Sequence, residues 1–141
     1  EFDSLTKSWN QVGGILTNED CSGTFGYDVK LTEDEGLLVL CSGDRTMYYY
    51  EQQEEEYIAK QAIVFDGDVY LIAVGGDAMV VSENNYGRSD LIRFFIRRNH
   101  VWKEVNQIDD DGLESTFGER GVALFGKTTL IASSSNVYVV D

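Results

Sequence analysis

Val29-Lys30-Leu31-Thr32-Glu33-Asp34-Glu35-Gly36-Leu37-Leu38-Val39-Leu40 is a short alternating apolar run, a polar turn closed by glycine, and a second apolar run. The same arrangement returns as Ile72-Ala73-Val74-Gly75-Gly76-Asp77-Ala78-Met79-Val80-Val81 and as Val122-Ala123-Leu124-Phe125-Gly126-Lys127-Thr128-Thr129-Leu130-Ile131-Ala132. Leu31, Val74 and Leu124 hold equivalent places, 43 and then 50 residues apart. A repeat of that size made of strands alone is the pattern of propeller blades or a related β-array. Such a unit mainly builds surface, which points to binding and assembly rather than to a single catalytic pocket.

Working outward, glycine marks the turns and proline is absent. The stretches between are short and rich in Val, Ile, Leu, Tyr and Phe, residues that fit a pleated, half-buried surface. No window sustains a 3.6-residue period, so almost no helix is expected. Each full repeat resolves into four strands, at about 28–32, 37–41, 46–51 and 57–63, then 70–74, 78–82, 91–97 and 101–107. The third has three, at about 120–125, 128–132 and 136–140. The expected fold is all-β: tandem four-stranded antiparallel blades, β-propeller-like, about three repeats, in one domain over 1–141. The blades fall at about 25–67, 68–116 and 117–141.

The third blade lacks its outer strand. A matching stretch, Trp9-Asn10-Gln11-Val12-Gly13-Gly14-Ile15-Leu16-Thr17, stands alone near the N-terminus and parallels Trp102-Lys103-Glu104-Val105-Asn106-Gln107-Ile108. The third blade is therefore expected to be completed by the N-terminal strand 7–17 or by another chain. Three blades are few for a closed propeller. The chain is a segment of a longer protein, an unusual small closed form, or one whose copies complete each other. Unpaired strand edges favour the last, because strand addition satisfies them directly.

The repeat resembles the FG-GAP repeat of integrin α-subunit heads and many cell-surface proteins. Phe25-Gly26-Tyr27-Asp28-Val29-Lys30-Leu31 and Phe117-Gly118-Glu119-Arg120-Gly121-Val122-Ala123-Leu124 match that family's opening strand. Leu38-Val39-Leu40-Cys41-Ser42-Gly43, Met79-Val80-Val81-Ser82 and Leu130-Ile131-Ala132-Ser133-Ser134 match its second. Met47-Tyr48-Tyr49-Tyr50, Ile92-Arg93-Phe94-Phe95 and Asn136-Val137-Tyr138-Val139-Val140 match its third, and Trp9 and Trp102 its outer-strand aromatic. The middle repeat departs from it, with Tyr70-Leu71 where Phe-Gly is expected, and the family's proline is missing throughout. The resemblance implies propeller blades, adhesion or protein binding, and an extracellular or cell-surface location. It also draws attention to calcium, since many members carry an Asp-x-Asp-x-Asp-Gly loop between their first two strands. The turns at Thr32–Gly36, Gly75–Asp77 and Phe125–Lys127 supply too few alternating oxygen ligands for such a cage.

Charge narrows the partners. The net charge of −14 argues against nucleic acid or anionic lipid as the main partner. No apolar run is long enough to span a bilayer as a helix, so no membrane insertion is expected. Arg88, Arg93, Arg97, Arg98 and Lys103 cluster against Asp90 alone, leaving roughly −18 on the rest. Either this is a solvated strand face, or Arg93, Arg97 and Arg98 dock on acidic turns of a neighbouring molecule, with Glu54, Glu55, Asp109, Asp110 and Asp111 as counterparts. Exposed contacts of that kind weaken as salt is raised. The loop 83–90, with Tyr86 at its centre, is the longest candidate for recognising another protein or a glycan.

Cys21 and Cys41 sit twenty residues apart. They are either a disulfide, implying an oxidising compartment, or free thiols with Cys41 buried on an apolar strand. Asp109, Asp110 and Asp111 are weak calcium candidates beside the turn role that Asp and Gly usually play. Asp66-Gly67-Asp68 is a second candidate of the same kind, and no cofactor site is read from the sequence. His100 is the single histidine and falls in a turn, so a hydrolase triad has no members and no enzyme is expected. Taken together, the sequence points to a non-enzymatic structural or adhesive interaction module that pairs with protein, most of all with copies of itself. The alternative is a ligand-binding surface domain acting through blade loops.

Overall fold

The computed structural model describes residues 2–3, 5–9, 15–54, 56–84, 90–109, 118 and 120–140, with backbone alone at 2–3 and 8–9. Among them there is no helix. A two-residue pair, β1 (Phe2–Asp3) and β2 (Ser8–Trp9), forms a small hairpin. The first sheet follows as β3 (Phe25–Leu31), β4 (Leu37–Cys41), β5 (Thr46–Gln53) and β6 (Glu56–Val64). The second sheet holds β7 (Asp68–Gly75), β8 (Ala78–Asn84), β9 (Leu91–Arg98) and β10 (Val101–Asp109). The third holds β11 (Gly121–Phe125), β12 (Thr128–Ala132) and β13 (Val137–Val140). Each sheet is an antiparallel meander in chain order, so the expected four, four and three strands are present.

The turns explain why the chain reverses where it does. Asn99 and His100, both at positive φ (51° and 64°), form a two-residue link between Arg98 and its partner Val101. That geometry matches the right-handed twist of the strands it joins. Gly36 is required for space rather than for φ. A Cβ there would stand 2.8 Å from Tyr49 Cε2 and 2.6 Å from Thr32 Oγ1.

The sheets stack face to face. The first strands run side by side, with β7 against β3 on one flank and β11 on the other, and the outer strands β6 and β10 also meet. We call the face of each sheet that looks toward the next sheet in the chain its forward face. On the first sheet, cross-strand pairs Leu38–Tyr49 and Leu40–Met47 form this face. They are fully buried against Ile72, Met79, Val81, Phe95 and Trp102 of the second sheet. Each such side chain contributes about 1.5–3 kcal/mol of burial. On the second sheet the forward pairs are Val80–Phe94 and Ser82–Ile92. There Val80 and Ile92 pack on Val122, Leu124, Ile131, Tyr138 and Val140 of the third sheet. Tyr48, Tyr49 and Tyr50 show the alternation the sequence implies: Tyr49 points forward into the core, and Tyr48 and Tyr50 point to the reverse face.

That reverse face of the first sheet carries the disulfide. Cys21 and Cys41 are bonded, with their Cα atoms 5.9 Å apart. The bond ties the segment before β3 against the sheet, and Asn18 Nδ2 donates to the Tyr50 hydroxyl at 3.3 Å. Gly23 and Gly43 pass so closely that a Cβ on Gly23 would lie 2.3 Å from the Gly43 nitrogen.

Candidate interaction surface

The forward face of the third sheet repeats the pattern of the other two. Its cross-strand pairs are Leu130–Val139 and Ala132–Val137, in the register places of Leu38–Tyr49 and Leu40–Met47. Here nothing among the described residues covers them. Leu130 is 42% exposed, and Val137 and Val139 are each 64% exposed, against 0–1% for the first-sheet equivalents. Ala123 pairs with Leu130 on the same face. Phe125, at the turn beside it, is 90% exposed. A contiguous apolar sheet face left open in this way marks an interaction site.

The edge of the same sheet is open too. β13 pairs with β12, and the fourth place that β6 and β10 fill in their sheets is empty among the described residues. Beneath it, between the second and third sheets, is a cavity of about 360 Å³ lined by Phe94, Ile96, Val105, Asn106, Leu124 and Val140, among others.

The arginines expected at an interface lie elsewhere. The Arg97 side chain, 8% exposed, lies in the seam between the first two sheets. Its Nη1 donates to Asp34 Oδ1 (2.8 Å) and to the Tyr49 hydroxyl (2.7 Å), and its Nε and Nη2 donate to Asp77 Oδ1 (3.1 and 2.9 Å). The guanidinium also lies over the Trp102 ring, 5.4 Å from its centre. These bonds hold its pKa above the ordinary arginine value against the opposing effect of burial. Asp34, hydrogen-bonded by Arg97 and Thr32, is pulled down to about 2. Arg93, further along β9, ties that strand to its neighbours β8 and β10 and to the link between β6 and β7. It reaches Asp66 (3.0 Å), Glu104 (3.3 Å) and the fully buried Glu83 (2.8 Å, an ion pair without hydrogen-bond alignment). Glu83 also accepts from the Gly67 amide at 2.6 Å, yet burial pushes its pKa up. Arg97 thus ties sheet to sheet, while Arg93 ties strands of the second sheet to the link before it, and the positive charge of both is engaged within the chain.

Arg98 is exposed at the end of β9, and Glu54 is exposed in the β5–β6 turn at φ 57°. Asp109 ends β10, exposed and opposite Leu91. Glu55, Tyr86, Asp110 and Asp111 lie outside the described residues. Cys21, Cys41 and Asp44 converge, but the two sulfurs are bonded to each other and hold no metal in that state. His100 stands at a hairpin tip with Nδ1 2.5 Å from Glu51 Oε1.

The exposed third-sheet face escaped the sequence reading, which weighed charge and loops. The signal was present in the repeat itself: Leu130 and Val139 fall where Leu38 and Tyr49 fall, and among the described residues no sheet covers them. Among the described residues no helix is long and apolar enough to cross a membrane. No protein-family model, no curated protein and no solved structure matches this chain.

Proposed function

We propose that the chain is a non-enzymatic structural module of FG-GAP-like, propeller-type blades, acting outside the cell or at its surface, that assembles through protein contacts with copies of itself. The observation that carries this is the open forward face of the third sheet, because its two equivalents in the same chain are each buried under a like sheet. The free edge of β13 points the same way, since strand addition satisfies edge amides and carbonyls. The Cys21–Cys41 bond supports an oxidising location.

This face is apolar, and Arg93 and Arg97 of the basic window are engaged within the chain, so association by this route persists when salt is raised. Sedimentation across protein concentration at low and high salt tests it. Species of two or more chains that survive high salt are expected. A single chain at every concentration, or association abolished by salt alone, contradicts the reading.

A further inference from the structure

The seam between the first two sheets shows how an outer-strand tryptophan is held. The Trp102 ring meets Tyr49 edge-on, centres 6.1 Å apart. Gln61 grips its backbone from both sides, donating to Trp102 O and accepting from Trp102 N, each at 2.8 Å. Gln61 stands directly across from Tyr49. One sheet on, Asn106 stands directly across from Phe94, the register equivalents of those two residues. Both line the cavity of about 360 Å³ under the open edge of β13. An aromatic wall and a carboxamide are therefore repeated where the tryptophan is missing.

We propose that this cavity receives Trp9 of a second copy of the chain, carried on the stretch 9–17, which adds to β13 as an antiparallel fourth strand. The inference rests on the self-assembly reading and names its site. Trp9 is the chain's other tryptophan, and its stretch bears no charge from Trp9 to Thr17, as suits a cavity whose only charged lining residue is Lys127. The donor is a second copy because of where the segment leads. Residues 16–20 share a hollow with Tyr57–Ala62 on the reverse side of the first sheet, tethered by Asn18 and Cys21. There they flank outer strand β6, as an outer strand would for a sheet stacked behind the first. The second sheet separates that place from the third sheet of the same chain. Among the described residues one copy thus has three inner strands without an outer one, the stretch 9–17 of the next would supply it, and they fit head to tail. The exposed Leu130, Val137 and Val139 are then covered by the neighbour's first sheet.

Two variants of the full chain separate the two ends: Trp9→Ala removes the knob, and Val105→Asp, at a 55% exposed position lining the cavity, spoils the hole. Sedimentation at fixed concentration is expected to give single chains for each variant alone. An equimolar mixture is expected to give pairs and nothing larger, since an intact Trp9 on one chain meets an intact cavity on the other. Misfolding of either variant cannot produce that rescue. A mixture that stays as single chains, or variants that keep the wild-type mass, overturns the site. In the second case, wild-type association leaves self-assembly standing. A wild-type chain that never associates overturns both.

Discussion

Arg97 and Tyr49 meet across the seam of the first two sheets, the guanidinium Nη1 2.7 Å from the hydroxyl and its carbon 5.7 Å from the ring centre. The same guanidinium holds the β3–β4 turn through Asp34 and the β7–β8 turn through Asp77. Arg97→Ala removes all of these contacts and leaves the buried Tyr49 hydroxyl without its donor. A loss of about 3 kcal/mol is expected, read from the urea midpoint. Arg97→Lys keeps the charge but not the planar fork, and recovers only part of it.

Two carboxylates give opposite pH dependences. Asp34 is depressed to about 2 in the folded chain, so its contribution is present above its unfolded value of 3.8 and is lost as pH falls through 2. Glu83 is raised above 4.5, so its contribution is full below that value and is lost as pH rises through its folded pKa. Urea stability against pH is expected to fall between about pH 4 and 2 and to decline again above pH 4.5. Asp34→Asn flattens the first limb, and Glu83→Gln flattens the second.

Reduction of Cys21–Cys41, or Cys41→Ser, opens a loop of twenty residues. A destabilisation of about 3 kcal/mol is expected, measured by thermal melting with and without reductant. Tyr50 is expected to become more accessible to solvent, because the segment that reaches it through Asn18 is no longer tethered.

Gly36→Ala places a methyl group against the Tyr49 ring and Thr32 Oγ1. Overpacking of about 1–3 kcal/mol is expected in the denaturation midpoint. Gly126→Ala instead strains a positive φ (61°) and meets nothing within 4 Å, so the pair separates backbone strain from crowding. Its loss is expected to be smaller, about 1 kcal/mol.

The strands were legible because two local signals coincide: period-two alternation, and glycine or Asn at most of the reversals, the β5–β6 turn at Glu54 being an exception. Every expected strand of the three repeats lies within a residue or a few of an observed one. The seam was not legible, because it is made by residues distant in sequence. Asp34 and Arg97 are 63 positions apart, and alternation says nothing about which cation a turn carboxylate will find. The repeat held a clue: Asp34 and Asp77 occupy the same turn in successive sheets, and Lys127 replaces them in the third. The alternation also named the inward side chains of each strand, but which faces end up covered depends on the number of sheets in the stack. Leu130, Val137 and Val139 read as core residues by pattern and are surface residues by position.

Amide hydrogen exchange followed over protein concentration tests the assembly at its proposed seat. Among the described residues β13 has one paired edge, so its outward amides are expected to exchange readily in the single chain. With rising concentration, protection is expected to grow in peptides covering Val137–Val140 and residues 9–17, while the β4–β5 core stays constant. Exchange at β13 and 9–17 that is the same at every concentration, in a sample whose mass shows association, would contradict the head-to-tail account.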